Sequence, residues 1–178
     1  MVITQCDDHG PRRARVEQLG IRIVNQFETD EFRNLQMHPK DTGGSFFEID
    51  EQLGPNAHDT DGPWEPAGPD WQAGRCLDRV SGITGAEIQA DDPAKVAARW
   101  GEIAELPVAE NAAGQPTIEL VNATLRFVPC TDGRPEGLGG IDVVTRDRQA
   151  ILGAAAACGA PSNGADQVQL CGVRIYLR

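Results

Sequence analysis

Apolar and polar residues follow two periods along this chain, and the places where one period gives way to the other mark its elements. Two-residue alternation over 2–6, 21–27, 32–37 and 45–49 predicts strands, with a helix over 11–19 between the first and second. The same order returns as an extended run at 83–90, a helix from Pro93 to about Leu106, and extended runs at 117–121 and 124–128. A third passage has a run at 140–145, a helix over 148–158 and one terminal strand over 167–177. Each first run closes in acid before its helix: Asp7-Asp8, Asp91-Asp92, Arg146-Asp147. Asp92 followed by Pro93 reads as an N-cap with proline at the first helical position, where a missing N–H costs nothing. Val96, Trp100, Ile103 and Leu106 then form one apolar stripe, while Gly20 and Gly159 suit helix C-caps.

A recurring supersecondary unit sets the architecture. Each passage reads as β-α-β-β-β or part of it: one full unit over 1–52, then a second region over 81–178 holding one shortened unit and a partial third. Residues 2–51 and 83–129 are expected to superpose, with Trp100 buried. Residues 53–80 break the pattern. Gly54-Pro55, Gly62-Pro63, Pro66 and Gly68-Pro69 exclude long helix or strand interiors, yet Trp64 and Trp71 are costly to leave in a flexible linker. An ordered strap packed across the units is expected there, acting either as a structural tie or as a lid over a pocket.

Strand parity adds a second expectation. Ala86, Ile88 and Ala90 share the face that packs under a helix, which sends Glu87 and Gln89 to the other side. Gln5 falls at the Gln89 position of the first unit and Asp142 at the Glu87 position of the third, while Phe46 and Glu48 lie opposite Phe47 and Ile49. The helix-distal face is therefore polar throughout, which means either a solvated sheet or one curled around a ligand.

The balance of 16 Lys+Arg against 27 Asp+Glu gives a net charge of −11. A surface that acidic repels phosphate backbones and anionic lipid, setting nucleic acid and membrane aside as partners. No apolar run approaches a spanning helix, and the first residues lack the pattern of a signal peptide. Five cysteines (Cys6, Cys76, Cys130, Cys158, Cys171) are widely spaced without a Cys-x-x-Cys pair, pointing to reduced thiols and a cytoplasmic protein.

The stretch His38-Pro39-Lys40-Asp41-Thr42-Gly43-Gly44-Ser45-Phe46-Phe47-Glu48-Ile49 carries the chemistry. It reads as a turn joining two strands, the second holding one acid among apolar residues, and an acid so placed needs an arginine, a hydrogen-bond network or a metal. The stretch resembles the closing hairpin of methylmalonyl-CoA epimerases and, more broadly, the glyoxalase/bleomycin-resistance (vicinal oxygen chelate) superfamily. That resemblance implies an α+β fold of mixed curved sheets with helices on one face, and Glu48 as a metal ligand. The superfamily's histidine positions read Met1, Gly85 and Gly140 here, so the implied ligand set is incomplete, and no tightly bound cofactor is expected beyond a weak divalent metal.

Two functions follow. One is a metal-dependent lyase or isomerase acting on a small oxygen-rich substrate, with Glu48 and Glu87 as catalytic acids and Gln5, Gln36, His38 and Gln89 as binding groups. The other is a metal-free protein that sequesters a small molecule. Arg126 and Arg174 are placed to pair with Glu48 or Glu87, which would make those acids structural. His9 and His58 read as solvated. A first unit with no partner half leaves an open sheet edge, so a homodimer is expected.

Overall fold

The computed structural model describes residues 1–178. The first unit runs β1 (Val2–Gln5), α1 (His9–Gln18), β2 (Ile23–Glu28), β3 (Phe32–Met37), α2 (Pro39–Thr42) and β4 (Phe47–Gln52). Its four strands lie in the order β1-β4-β3-β2, with β1 parallel to β4 and the rest antiparallel. The second unit is β5 (Val80–Ala90), α3 (Pro93–Ala104), β6 (Ala109–Glu110), β7 (Pro116–Glu119) and β8 (Thr124–Pro129), and the third is β9 (Gly137–Thr145), α4 (Arg148–Ala157), β10 (Gln167–Leu170) and β11 (Val173–Leu177). These two share a seven-stranded sheet, β10-β11-β9-β5-β8-β7-β6, joined where the first strands β5 and β9 pair antiparallel. The fold is α+β, with mixed sheets and helices on one face of each.

Local chemistry explains the helix ends. Asp8, Asp92 and Asp147 each accept a first-turn backbone N–H at 2.9–3.0 Å. Gly20 and Gly159 follow their helices in the left-handed region, φ 66° and 71°.

Units one and two stack helix face to helix face over one apolar core of 16 buried residues. Its centre is Trp100, fully buried, stacked on Phe47 at 4.3 Å and edge-on to Phe127. Unit three has only a four-residue core of its own.

Three sequence expectations need correction. The second unit is complete, because Ala109–Glu110 supplies a third strand too short to show alternation. The terminal run is a hairpin: Cys171 and Gly172 both take positive φ (49° and 81°), the geometry of a tight two-residue turn. His9 is buried rather than solvated, since Glu51 on the core face of β4 accepts its backbone N–H at 3.1 Å and pins the start of α1 against the sheet. Burial lowers the His9 pKa.

The His38–Ser45 stretch also differs from a simple turn. His38 Nδ1 accepts the Lys40 N–H and caps the short helix α2. Asp41 receives Arg22 through both guanidinium and backbone N–H groups at 2.8–2.9 Å. Gly43 and Gly44 take φ of 76° and 67°, and a Cβ on Gly44 would stand 2.7 Å from Ile88 Cγ2. Trp100 donates to the Gly43 carbonyl at 3.3 Å, and Arg99 to that of Asp41. The motif thus docks unit one onto unit two, and its glycines are needed for close approach.

Candidate functional site

The two sheets turn their polar faces away from the shared core, because Phe47 beside Glu48 and Ile88 beside Glu87 both enter that core. Glu48 and Glu87 share no partner, so the structure offers two faces to consider.

On the first face, β4 is buried along its whole length. Register places Gln36 beside Glu48 and Asn34 beside Asp50. Asn34 Nδ2 donates to Glu48 Oε1 at 2.7 Å and Asp50 Oδ1 at 3.1 Å, and Gln36 Nε2 donates to Glu48 Oε2 at 2.7 Å. Asp50 is fully buried and its Oδ2 has no partner. Burial and then repulsion by Glu48 push the Asp50 pKa up to about 7, against the opposing Asn34 hydrogen bond. Asp50 therefore passes between its protonated and ionised forms around neutral pH. Asp50 was legible in principle: it lies two residues beyond Glu48 and shares its face, but a strand ending at Ile49 leaves it outside.

Residues 53–79 cross this face. Gln5 Nε2 donates to Ala57 O at 2.8 Å, Glu65 N donates to Gln52 Oε1 at 2.8 Å, and Trp64 packs edge-on to Phe32 at 5.4 Å. Gln5 is thereby a tie to the strap. Beside the tie opens a cavity of about 680 Å³, lined among others by Trp64, Trp71 and the acids Glu31, Asp59, Asp61 and Glu65, with no lysine or arginine in its wall. Arg75 approaches from outside, over the Trp71 ring at 5.8 Å and paired with Asp61.

The second face is an ion-pair lattice. Glu87 accepts from Arg126 at 3.0 Å, Arg174 at 2.8 Å and the Tyr176 hydroxyl at 2.9 Å. Asp142 accepts from Arg126 at 2.8 Å and Arg178 at 2.6 Å. Gln89 Oε1 receives Arg174 and Arg134, and its amide donates to Pro135 O. Arg126 and Arg178 lie over the Tyr176 ring. The sequence indicated Arg126 and Arg174; Arg134, Arg178 and Tyr176 came only with the fold, because nothing local marks which face a terminal hairpin presents.

Of the residues predicted for one site, Glu48 and Gln36 come together with Gln5 nearby on the same sheet face, Glu87 and Gln89 belong to the other sheet, and His38 caps α2. His58 is exposed. No three His, Cys, Asp or Glu side chains are grouped to hold a metal ion. On the first face two carboxylates meet amide N–H groups, and on the second every carboxylate meets guanidinium groups. Neither donor set fits a tightly held metal, which needs several lone pairs aimed at one point.

By sequence the chain matches no protein-family model and no curated protein. By structure it is similar to the Mn(II)-bound glyoxalase of Novosphingobium aromaticivorans, at TM-score 0.63 and 11% identity over 98% of this chain and 60% of that one. It is also similar to 2,2',3-trihydroxybiphenyl 1,2-dioxygenase of Sphingomonas wittichii strain RW1, at TM-score 0.59 and 11% identity over 99% of this chain and 69% of that one. A hypothetical protein from Staphylococcus aureus gives TM-score 0.61 at 9% identity, over 99% of this chain and 63% of that one. The chain shares the glyoxalase-like fold of these structures. It spans 60–69% of the length of these solved proteins. No helix is long and apolar enough to cross a membrane.

Proposed function

We propose that this protein binds a small organic cation, without a metal, in the cavity beside the strap. The observation that carries the reading is the lining: two indoles and four carboxylates around about 680 Å³, with no basic side chain in the wall. Indole faces attract cations through the ring quadrupole, and surrounding carboxylates add a field that rejects anions. Arg75, seated over Trp71 and against Asp61, supports the reading as an internal example of such a contact. The volume suits a small to drug-sized molecule. This differs from sequestration inside a curved sheet, since the arginine lattice fills the larger sheet's polar face. The test is quenching of tryptophan fluorescence by benzyltrimethylammonium against its neutral isostere neopentylbenzene and against benzoate. Saturable quenching by the cation alone, lost in Trp71→Ala, supports the reading; equal response to all three probes refutes it.

A second reading, a lyase or isomerase on a small oxygen-rich substrate, is favoured by the Glu48–Asp50 pair. A buried acid whose pKa is pushed up to about 7 beside a second carboxyl is poised for proton transfer at neutral pH. Solvent deuterium entering the α-carbon of small hydroxy or keto acids, abolished by Asp50→Asn, is the expected sign; no incorporation across such a panel discards it.

A further inference from the structure

A second cavity, of about 230 Å³, lies in unit three between α4 and β10, on the helix side of the sheet and apart from the strap. In units one and two the same space is filled, because α1 and α3 send Val16 and then Trp100 and Ile103 down onto their strands, all fully buried. The facing side of α4 offers Ala154 and Ala155, which leave a gap above Val168 and Leu170. The gap is open on one flank. β10 stands where β3 stands in unit one, and no strand follows it in the place of β2. Leu170 is consequently about half exposed.

The two ends of the groove differ in charge. Cys158, the C-cap of α4, closes one end, its exposed thiol donating to the Ala154 carbonyl at 3.1 Å. Arg79 stands at the other end, paired with the N-cap Asp147, and is the one charged residue in the wall. It spends Nη1 on Asp147, leaving most of its five N–H donors free. Arg146, whose backbone N–H donates to the Arg79 carbonyl, and Arg148, which opens α4, add two exposed guanidinium groups. Asp78 and Asp147 are the acids beside them in the chain, so this end is cationic in a protein of net charge −11. We propose that the groove binds a small aliphatic carboxylate, its chain laid over Val168 and Leu170 toward Cys158 and its head on Arg79. Apolar walls draw the chain out of water, and the planar guanidinium takes the carboxylate through two N–H groups. An apolar cavity of ~150 Å³ holds a benzene ring, so the volume suits a short acyl chain. The wall has a cation and no carboxylate, the reverse of the strap cavity, so the two sites select opposite charges.

Hexanoate, hexanol and hexyltrimethylammonium are the probes. The readout is the rate at which iodoacetamide alkylates Cys158, resolved by peptide mass spectrometry, with the exposed Cys76 and Cys171 as internal references. Hexanoate should slow Cys158 saturably, by at least about fivefold near saturation, without slowing the reference thiols. Hexanol should protect less and the ammonium not at all. Arg79→Gln should weaken hexanoate at least about fivefold and leave hexanol unchanged. Ala154→Trp should fill the groove and abolish the response to every probe, with circular dichroism confirming the fold. No protection of Cys158 by hexanoate up to roughly 10 mM overturns the proposal. Equal protection by all three probes, or protection undiminished in Arg79→Gln, overturns it as well. If Ala154→Trp fails to fold, the probe series on the unmodified chain and on Arg79→Gln decides alone.

Discussion

Replacing Asp50 by asparagine should stabilise the protein at pH 8 and leave it no more stable, or slightly less so, at pH 5. The native carboxyl is fully buried, keeps one unpartnered oxygen and faces Glu48. Its pKa rises from 3.8 to about 7, so the folded state binds this proton more tightly than the unfolded chain does. The stability that goes with the bound proton is therefore fully present below about pH 4 and is lost as pH climbs through about 7. A rise of that size sets a ceiling of ~4 kcal/mol. Rearrangement around a polar pair, which behaves as a medium of higher dielectric, lowers the expected difference to about 1–2 kcal/mol. Asparagine keeps an oxygen for the Asn34 bond and puts an N–H where the proton sat. Urea melts of both chains at pH 5, 6, 7 and 8 would show the parent losing stability relative to Asp50→Asn by about 1–2 kcal/mol across that range. A constant difference between the two curves would refute the buried proton, and with it the acid–base reading of this face.

Other outcomes test the packing. Trp100→Ala should cost about 3–5 kcal/mol, since a fully buried indole stacked on Phe47 ties the two units together; chemical denaturation reads it. Gly44→Ala should cost about 1–3 kcal/mol more than Gly20→Ala, because both glycines have positive φ but only Gly44 would drive a methyl into Ile88; paired melts isolate that term. Glu87→Gln should lose about 1–3 kcal/mol in urea melts, since Arg126 and Arg174 lose one buried countercharge but keep Asp142 and Asp132 as partners.

Much of this architecture was legible because its signals are local. The Asp N-caps, the stripe Val96–Trp100–Ile103 and the alternation in β3 and β5 each act within a few residues and appear where periodicity puts them, while β4 runs on to Gln52, past the expected end at Ile49. What escaped reading depends on distant chain. Ala109–Glu110 is a strand only because β7 lies beside it. His9 is buried because Glu51, 42 residues away, holds its backbone. The most motif-like segment, His38–Ser45, suggested an active-site turn. Its glycines instead answer to Ile88 and Val96 of the next unit, a contact invisible in the sequence.

The two polar faces show how one scaffold arrives at different chemistry. Both place a carboxylate on the helix-distal face, Glu48 on the last strand of unit one and Glu87 on the first strand of unit two, each beside a second acid on that face. In the larger sheet the third unit brings Arg174 and Tyr176 from its final strand, and Arg178 just beyond it, onto that face, where the acids anchor an ion-pair lattice. The first sheet has no such neighbour. Its acids meet only the amides of Asn34 and Gln36, which donate hydrogen bonds without supplying positive charge. Repulsion inside a buried pair then has to be relieved by a proton. An arginine introduced on that face should do what Arg126 does in the other sheet. Gln36→Arg is expected to return the Asp50 pKa toward the usual carboxylate range, followed by the chemical shift of its carboxyl carbon during an NMR pH titration. An unchanged midpoint near 7 would mean that burial, and not the missing countercharge, holds the proton there.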